Sequence, residues 1–221
     1  MLNFRQEKKL IKKIGRSVLA MDEAGRGPLA GPVAIGGVLI DEKTVSNNKL
    51  FRDGWWKKVN DSKKISAKKR AELAEKISLA FPSAVILISA VFIDQNGISS
   101  AIRTGAEKVF FKLATGNPLI LADGRERFLG LNHLDQRNFI GGDGLFFSIA
   151  CASIIAKVKR DQYMDEMAKK WPEYQFEKHK GYGTAKHLEI LVKRGPCPLH
   201  RFSYAPLKNQ VSRKSFLLSR L

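Results

Sequence analysis

The sequence predicts an α/β fold, because apolar runs rich in β-branched residues alternate along the chain with segments of helical periodicity. Its 221 residues are enough to bury one full core. Two of the apolar runs end in a carboxylate, at Asp22 and Asp123, and turn residues follow directly. Since ligands of open α/β sheets bind at the carboxyl ends of the strands, the same pattern predicts a site there.

Four apolar segments are predicted to be strands, and a glycine-rich turn joins the first two. They are residues 17–22 (SVLAMD), 32–41 (PVAIGGVLID), 83–92 (SAVILISAVF) and 117–123 (NPLILAD). Four other segments have the spacing of amphipathic helices, with Ser66 as an N-cap and a glycine after the last. They are residues 66–81, 97–114, 144–171 and 184–195.

The chain contains no internal repeat, low-complexity segment or convincing linker. We therefore expect one core domain over residues 18–206. A basic N-terminal extension (1–17) and a basic C-terminal tail (207–221) would be attached to it.

The charge balance suggests a polyanionic partner. Lys and Arg outnumber Asp and Glu by 39 to 21, for a net charge of +18. Such an excess fits nucleic acid better than a membrane surface, and a solvated basic surface is the plain alternative. No apolar run approaches the ~20 residues that span a bilayer, and no secretory signal is recognisable. Cys151 and Cys197 lack CxxC spacing, so we expect a cytoplasmic protein with reduced thiols and no membrane contact.

The carboxylates at the predicted strand ends suggest a metal site. If their strands are neighbours, Asp22 and Asp123 lie side by side with Glu23 next to them, and Asp143 precedes an apolar helix. Buried carboxylates are costly unless a cation meets them, and Mg²⁺ or Mn²⁺ prefers such oxygen ligands. Two ions about 4 Å apart can activate a water and stabilise a leaving phosphodiester oxygen. Taken alone, Asp143 serves at least as well as a helix N-cap.

Asp22 and Glu23 cannot both face the site from a regular strand, because adjacent strand residues point to opposite faces. Either the strand end is distorted near Gly25, or Glu23 contributes a backbone carbonyl or an indirect contact. GRGPLA (25–30) also satisfies a loose dinucleotide-binding pattern. That pattern requires a helix next, and the strand-like GPVAIGGVLI that follows argues against it.

Six motifs closely resemble those of bacterial ribonuclease HII and occur in that family's order over residues 22 to 206. They are MDEAGRGPLAGPV, NDSKKIS, LILADG, SIACASIIAKVKRD, HKGYGT and HRFSYAP. The resemblance implies a ribonuclease H-like fold, a mixed central β-sheet flanked by α-helices with a helical C-terminal region. It implies an endoribonuclease that hydrolyses the RNA strand of RNA–DNA hybrids and incises 5′ to single ribonucleotides in duplex DNA. The expected products are 3′-hydroxyl and 5′-phosphate ends, formed with two Mg²⁺ or Mn²⁺ ions.

The resemblance also implies residue roles. The four catalytic, metal-binding acids match Asp22, Glu23, Asp123 and Asp143. The loop that reads the ribose 2′-hydroxyl matches Gly25, Arg26 and Gly27, and the tyrosine that stacks at the ribonucleotide–DNA step matches Tyr182. These residue types suit the roles, because glycines allow close backbone approach to a sugar and an aromatic ring stacks on a base. Without the resemblance, Tyr182 would be a half-buried structural tyrosine and Arg26 a salt-bridge partner of Glu23.

Further substrate contacts are expected from two basic segments. NDSKKIS contains Asp61 and, in a predicted surface turn, the phosphate-contact candidates Ser62, Lys63 and Lys64. For any one lysine a solvated charge cluster is an equal alternative. Ser153 and Lys157 lie one turn apart on the helix after Asp143 and can face the same cleft.

The chain departs from the family pattern at the fourth acid, where GGDG replaces a lysine or other polar residue before the aspartate. Asp161 is the substitute candidate, although it lies beyond the site in the family pattern. The four histidines, His133, His179, His187 and His200, have no zinc-site spacing. His200 and Arg201 are expected to hold the C-terminal segment rather than take part in chemistry.

Other functions remain open at this point. A junction resolvase or DNA exonuclease of the same broad fold would not need the glycine loop and Tyr182. A non-catalytic binder would not place acids where they repel phosphates. Ribonuclease HIII is disfavoured, since no large N-terminal substrate-binding domain is present. We expect a monomer that binds RNA–DNA hybrid and ribonucleotide-containing duplex DNA. The tail SRKSFLLSRL is a candidate for sliding-clamp contact, although its spacing matches no clamp motif.

Overall fold

The computed structural model describes residues 4–47, 51–59, 66–124 and 135–208. The helices are α1 (Phe4–Ile14), α2 (Glu42–Ser46), α3 (Ala67–Ala80), α4 (Ala90–Asn96), α5 (Ile98–Leu113), α6 (Phe147–Lys170), α7 (Phe176–His179) and α8 (Ala185–Arg194). The strands are β1 (Val18–Ala24), β2 (Val33–Ile40), β3 (Ser83–Ile88), β4 (Leu119–Asp123) and β5 (Gln136–Phe139). Short 3₁₀ turns lie at Trp55–Lys58, Gly142–Gly144 and Pro172–Tyr174.

The chain forms two compact units. The sheet unit comprises the described residues within 1–24, 34–87 and 102–159. The helical unit comprises those within 25–33, 88–101 and 160–221. The boundaries expected from sequence at residues 17 and 206 stay a prediction. None of the helices in the described part of the chain has both the length and the apolar character needed to cross a bilayer.

The five strands form a mixed sheet in the order β3-β2-β1-β4-β5, which confirms the predicted fold class. β1 is antiparallel to β2 and parallel to β4, and β4 is parallel to β5. In the β1–β4 ladder Val18 lies opposite Leu119 and Met21 opposite Ala122. The two strands are therefore neighbours, as predicted. The next residue on each strand is a predicted site acid, Asp22 on β1 and Asp123 on β4.

A pair of glycines in β2 lets two helices approach the sheet closely. A Cβ atom at Gly36 would lie 2.3 Å from the carbonyl oxygen of Ala152 in α6. A Cβ atom at Gly37 would lie 2.2 Å from Val109 Cγ1 in α5. Since adjacent strand residues face opposite sides, α6 and α5 cover opposite faces of the sheet.

The N-terminal helix α1 is packed into the core of the sheet unit. The ring of Phe4 lies 4.4 Å from that of Phe147, and Ile11 is buried as well. On the same face Glu7 is only 4% exposed, and its carboxylate accepts hydrogen bonds from the backbone N–H and hydroxyl of Ser148 in the first turn of α6. Burial raises the pKa of Glu7 to about 7.

Several predicted boundaries differ from the observed ones. The strand predicted over 83–92 ends at Ile88, because the Ser89 hydroxyl accepts a hydrogen bond from Phe92 N–H at 3.2 Å and caps α4. The helix predicted over 144–171 begins at Phe147, after the 3₁₀ turn. Strand β5 was not predicted, since its sequence QRNF is polar. The predicted N-cap at Ser66 is confirmed.

The helical unit has its own apolar core, which includes Met164 of α6, Phe176 of α7 and Leu191 of α8. Residues 28–31 hydrogen-bond to the backbone of two other segments of this unit. Leu29 N–H donates to Gly181 O, Leu29 O accepts from Arg201 N–H, and Gly31 N–H donates to Leu199 O, each at 2.8 Å.

Candidate active site

Asp22 and Asp123 directly follow the last paired residues of the parallel β1–β4 ladder, and each is held by a specific hydrogen bond. Asp22 is 5% exposed; its Oδ1 accepts from Glu23 N–H at 2.7 Å, and it also hydrogen-bonds to the Ser153 side chain. Asp123 Oδ1 accepts from Gly142 N–H at 2.7 Å. Helix α6 and the turn before it therefore fix both carboxylates.

The electrostatics of Asp22 favour a cation. Burial raises the pKa of this carboxyl well above its usual range, and the charges of Glu23 and Asp123 raise it further. The hydrogen bonds from Ser153 and from Glu23 N–H act in the opposite direction. No lysine or arginine of the described residues is among the groups that shift this pKa. A cation bound beside Asp22 would relieve both the desolvation and the repulsion.

The turn that carries Asp143 is tied to Asp123. Its 3₁₀ residues, Gly142–Gly144, follow Gly141, which has φ +69°. A Cβ atom at Gly142 would lie 2.8 Å from Ile149 Cδ1 and 3.4 Å from Asp123 Oδ1. The glycines that depart from the family pattern thus permit a close approach of this turn to the strand end. This placement favours Asp143 over Asp161 as the fourth acid.

Glu23 points away from the face that carries Asp22. Asp22 lies opposite Gly36, which packs against α6, whereas Glu23 lies opposite Ile35, which packs against Gly105 of α5. Directly opposed residues share a face of the sheet, so the two carboxylates lie on different faces. Pairing is regular through Ala24, and the left-handed residue Gly25 (φ +95°) comes only afterwards. The strand is therefore not distorted at Glu23, which leaves the backbone-carbonyl and the indirect-contact alternatives.

The donor set resembles a hard-cation site rather than a zinc cage. Within the described residues, no three His, Cys, Asp or Glu side chains are arranged to enclose a metal ion. Mg²⁺ and Mn²⁺ are commonly held by one or two carboxylates, with water and substrate phosphates as further ligands. The two strand-end carboxylates, the Asp143 turn and a main-chain oxygen fit that mode.

The neighbouring polar residues of α6 have distinct surroundings. Ser153 is 6% exposed and bonds to Asp22, so its contact in this structure is with the acid. Lys157, one turn further along, is half-buried. Both stay predicted substrate contacts.

The glycine-rich loop lies in the helical unit against two buried arginines. A Cβ atom at Gly25 would lie 2.0 Å from Arg160 Nε, whereas a Cβ atom at Gly27 would meet nothing within 4 Å. The sequence reasoning missed Arg160. The sequence did contain a sign that Arg160 is buried. It occupies one position of an i, i+4 series whose other members, Ala152, Ala156 and Met164, are apolar and buried.

Tyr182 is 42% exposed, and buried side chains contact both its ring and its backbone. The Arg160 Cζ lies 5.7 Å from the centroid of the Tyr182 ring. The backbone carbonyl oxygen of Tyr182 lies 2.9 Å from His187 Nδ1. His187 Nε2 in turn lies 3.1 Å from His200 Nε2. Burial lowers the pKa of both imidazoles to about 4, so they are neutral near pH 7. These histidines thus form a hydrogen-bonded chain that ends at the backbone of Tyr182.

Some predicted residues lie outside the described part of the chain. They are Asp61, Ser62, Lys63, Lys64, His133 and the tail beyond residue 208. Their roles stay predictions.

Comparison with known proteins agrees with this architecture. The Ribonuclease HII family model matches residues 19–207. Ribonuclease HII of Caldicellulosiruptor bescii is 43% identical over 95% of both chains. The structure of ribonuclease H2 from Pyrococcus horikoshii OT3 is similar with a TM-score of 0.68 at 25% identity, covering 89% of this chain and 98% of that one. Bst-RNase HIII, solved in complex with Mn²⁺, shares the fold with a TM-score of 0.64 at 18% identity, covering 90% of this chain and 70% of that one. The chain belongs to the ribonuclease HII family, whose members are metal-dependent nucleases with ribonuclease H activity on RNA–DNA hybrids.

Proposed function

We propose that this ribonuclease H also incises duplex DNA on the 5′ side of a single embedded ribonucleotide, leaving 3′-hydroxyl and 5′-phosphate ends. The observation that carries the catalytic part is the pair Asp22 and Asp123. Two carboxylates at adjacent strand ends, one of them buried and destabilised by its neighbours, are costly unless cations bind.

We assign the metal-binding role to Asp22, Asp123, Asp143 and, through its main-chain carbonyl, Glu23. Two bound Mg²⁺ or Mn²⁺ ions would supply Lewis-acid activation of water and stabilisation of the leaving oxygen. The protein's own part is to hold the donors still. Ser153 orients Asp22, and Gly142 N–H orients Asp123. Each bond leaves carboxylate lone pairs available for a cation.

Ribose recognition is assigned to the helical unit. The backbone of Gly25, Arg26 and Gly27 is exposed or lies next to exposed residues, which suits contact with a 2′-hydroxyl. The exposed ring of Tyr182 suits stacking on the nucleotide at the ribose–deoxyribose step. Lys157 and the segment 62–64 are assigned to phosphates. Contact of the C-terminal tail with a sliding clamp stays a prediction.

The test is cleavage of an end-labelled DNA duplex that carries one ribonucleotide, with Mg²⁺, Mn²⁺ or EDTA. A single cut on the 5′ side of the ribose, present with metal and absent with EDTA, is expected. Cleavage of a long RNA–DNA hybrid without any cut at the lone ribonucleotide would overturn the proposed junction recognition while leaving the metal assignment in place.

A further inference from the structure

Arg201 is a fully buried cation that donates to the backbone of the glycine-rich segment, residues 25–31, and to the Tyr204 hydroxyl. Its Nη2 donates to Gly25 O at 2.7 Å, its Nη1 to Arg26 O at 2.9 Å, and its Nε to Gly31 O at 2.9 Å. The Tyr204 hydroxyl also donates to Arg26 O, at 2.9 Å. One guanidinium thus holds three carbonyl groups of a single loop.

These hydrogen bonds set the direction in which the backbone N–H groups of residues 26 and 27 point. In a trans peptide the C=O and N–H groups point in opposite directions. The bond from Arg201 to Gly25 O therefore turns Arg26 N–H away from the buried guanidinium, and the bond to Arg26 O does the same for Gly27 N–H. Arg26 and Gly27 are both exposed, so their N–H groups are aimed at the outer side of the loop.

Arg160 contacts the same segment and the ring of Tyr182. It is 0% exposed and donates from Nε to Pro32 O at 2.9 Å and from Nη2 to Ala30 O at 3.1 Å. Its Cζ lies 5.7 Å from the Tyr182 ring centroid, within the range of a cation–π contact. Its Nη1 is buried and has no hydrogen-bond partner in the described structure.

Two buried like charges are an expensive way to fill a core. Burial, followed by the charge of Arg201, lowers the pKa of Arg160 to about 10, so Arg160 remains charged near pH 7. A guanidinium group keeps its proton in proteins, so Arg201 is a second buried cation beside it. Apolar side chains of similar volume commonly replace buried ionic groups without loss of stability. The presence of two buried guanidinium groups therefore needs another explanation, which their contacts with the loop and with Tyr182 provide.

We propose that Arg160 and Arg201 are positioning residues for ribonucleotide recognition. Arg201 fixes the direction of the amide groups of residues 26 and 27, and Arg160 fixes the loop and the Tyr182 ring relative to each other. The inference rests on the proposed function of this loop and tyrosine. Loss of either guanidinium then reduces the preference for ribose over deoxyribose, separately from any effect on the cleavage step.

The readout is a ratio of dissociation constants measured in EDTA. Two end-labelled duplexes of the same sequence are compared, one with a single ribonucleotide and one made only of DNA. The dissociation constant of the all-DNA duplex divided by that of the ribonucleotide duplex measures the preference for ribose. Arg201→Lys is expected to lower this ratio by about 10-fold, since a compact ammonium group cannot span the three separate carbonyls that the planar guanidinium reaches. Arg160→Lys is expected to lower it by roughly 3-fold, because a cation remains near Tyr182.

Two control variants separate recognition from other defects. Arg194→Lys changes an exposed arginine of the same unit and is expected to leave the ratio unchanged. Asp123→Asn is expected to abolish cleavage and to leave the ratio unchanged. Thermal melting of each variant confirms that it is folded.

The outcomes are distinct. A wild-type ratio near 1 overturns the proposed ribose recognition itself. A clear wild-type ratio that persists in folded Arg201→Lys and Arg160→Lys overturns the inference alone. If Arg201→Lys fails to fold, hydrogen exchange on the wild-type protein decides. The amides of Arg26 and Gly27 must gain protection with the ribonucleotide duplex and not with the all-DNA duplex, and equal protection contradicts the proposal.

Discussion

The two units bury charge of opposite sign, and they satisfy it differently. In the sheet unit Asp22 is buried beside other acids, and no described cation offsets the rise in its pKa. In the helical unit Arg160 and Arg201 are buried just as deeply, but main-chain carbonyls surround them. A cation from outside the chain would relieve the first arrangement, whereas in the second the fold itself supplies carbonyl acceptors for all of the buried guanidinium nitrogens except Arg160 Nη1. We therefore propose that the first arrangement binds metal and that the second holds a loop in shape.

The largest expected effect tests the acid side of this comparison. Asp123→Asn should lower single-turnover cleavage by at least ~10³-fold, because an amide is a poor ligand for a hard cation. Duplex binding should be kept or become tighter, since a charge that repels phosphate is lost. The matched control is Asp53→Asn, which changes an exposed acid paired with Lys76. Normal cleavage by Asp123→Asn would refute the metal assignment.

The next effect tests how tightly the arginine side is packed. Gly25→Ala places a methyl group 2.0 Å from Arg160 Nε at a residue with φ +95°, and it should lower the free energy of unfolding by about 2–4 kcal/mol. Gly27→Ala meets no atom within 4 Å and should melt like the wild type. Its cleavage should nonetheless fall, because the methyl group lies where a sugar must approach. Equal melting temperatures for the two variants would contradict the packing described here.

A second buried acid in the sheet unit gives a pH-dependent comparison. The pKa of Glu7 is raised from 4.5 to about 7, so the folded state keeps a proton that the unfolded chain loses. Its contribution to stability is therefore full below pH 4.5 and is lost as pH rises through about 7, by at most about 3 kcal/mol. Glu7→Gln should remove this pH dependence, because a glutamine side chain does not ionise. Its amide oxygen can still accept the hydrogen bonds from Ser148.

Urea unfolding of wild type and Glu7→Gln at several pH values measures this effect. The difference between the two should widen in favour of the variant from pH 4.5 to 7. Glu75→Gln, at an exposed position on α3, is the control. A constant difference between wild type and Glu7→Gln across this range would show that Glu7 does not hold its proton in the folded protein.

The smallest expected effect separates stacking from catalysis. Tyr182→Ala should lower cleavage at a lone ribonucleotide by roughly 10-fold, in line with the ~1–3 kcal/mol of base–aromatic stacking. Cleavage of a long hybrid should fall less, because it contains no ribose–deoxyribose step at most positions. Tyr182→Phe keeps the ring and should retain most activity. Equal losses on both substrates would remove the stacking role.

Local patterns predicted those parts of the fold that depend on local chemistry. The apolar runs ending in Asp22 and Asp123 are neighbouring strands, and Ser66 caps its helix as expected. The run 83–92 was misassigned, because its apolar residues continue past Ser89 while the hydrogen bonding changes there. Strand β5 has no apolar pattern, and only its pairing with β4 identifies it.

Two buried charged residues were missed for a related reason. A charged residue is expected at the surface, so neither Arg160 nor Glu7 suggested a buried role. Both occupy the inner face of an amphipathic pattern, and only tertiary contacts supply their partners. The distinction between Asp22 and Glu23 likewise required the register with β2.

The buried face of α1 has a practical consequence for handling this protein. Residues 1–17 look dispensable by composition, and a shortened chain beginning at residue 18 is the obvious choice for expression. Such a chain would lose Phe4 and Ile11 from the apolar core of the sheet unit and would expose the rings of Phe51 and Phe147, which pack against Phe4, to water. It would also leave Ser148 without Glu7 at the start of α6. Aggregation of the shortened protein should therefore be attributed to a missing piece of the core, and affinity tags belong at the other terminus.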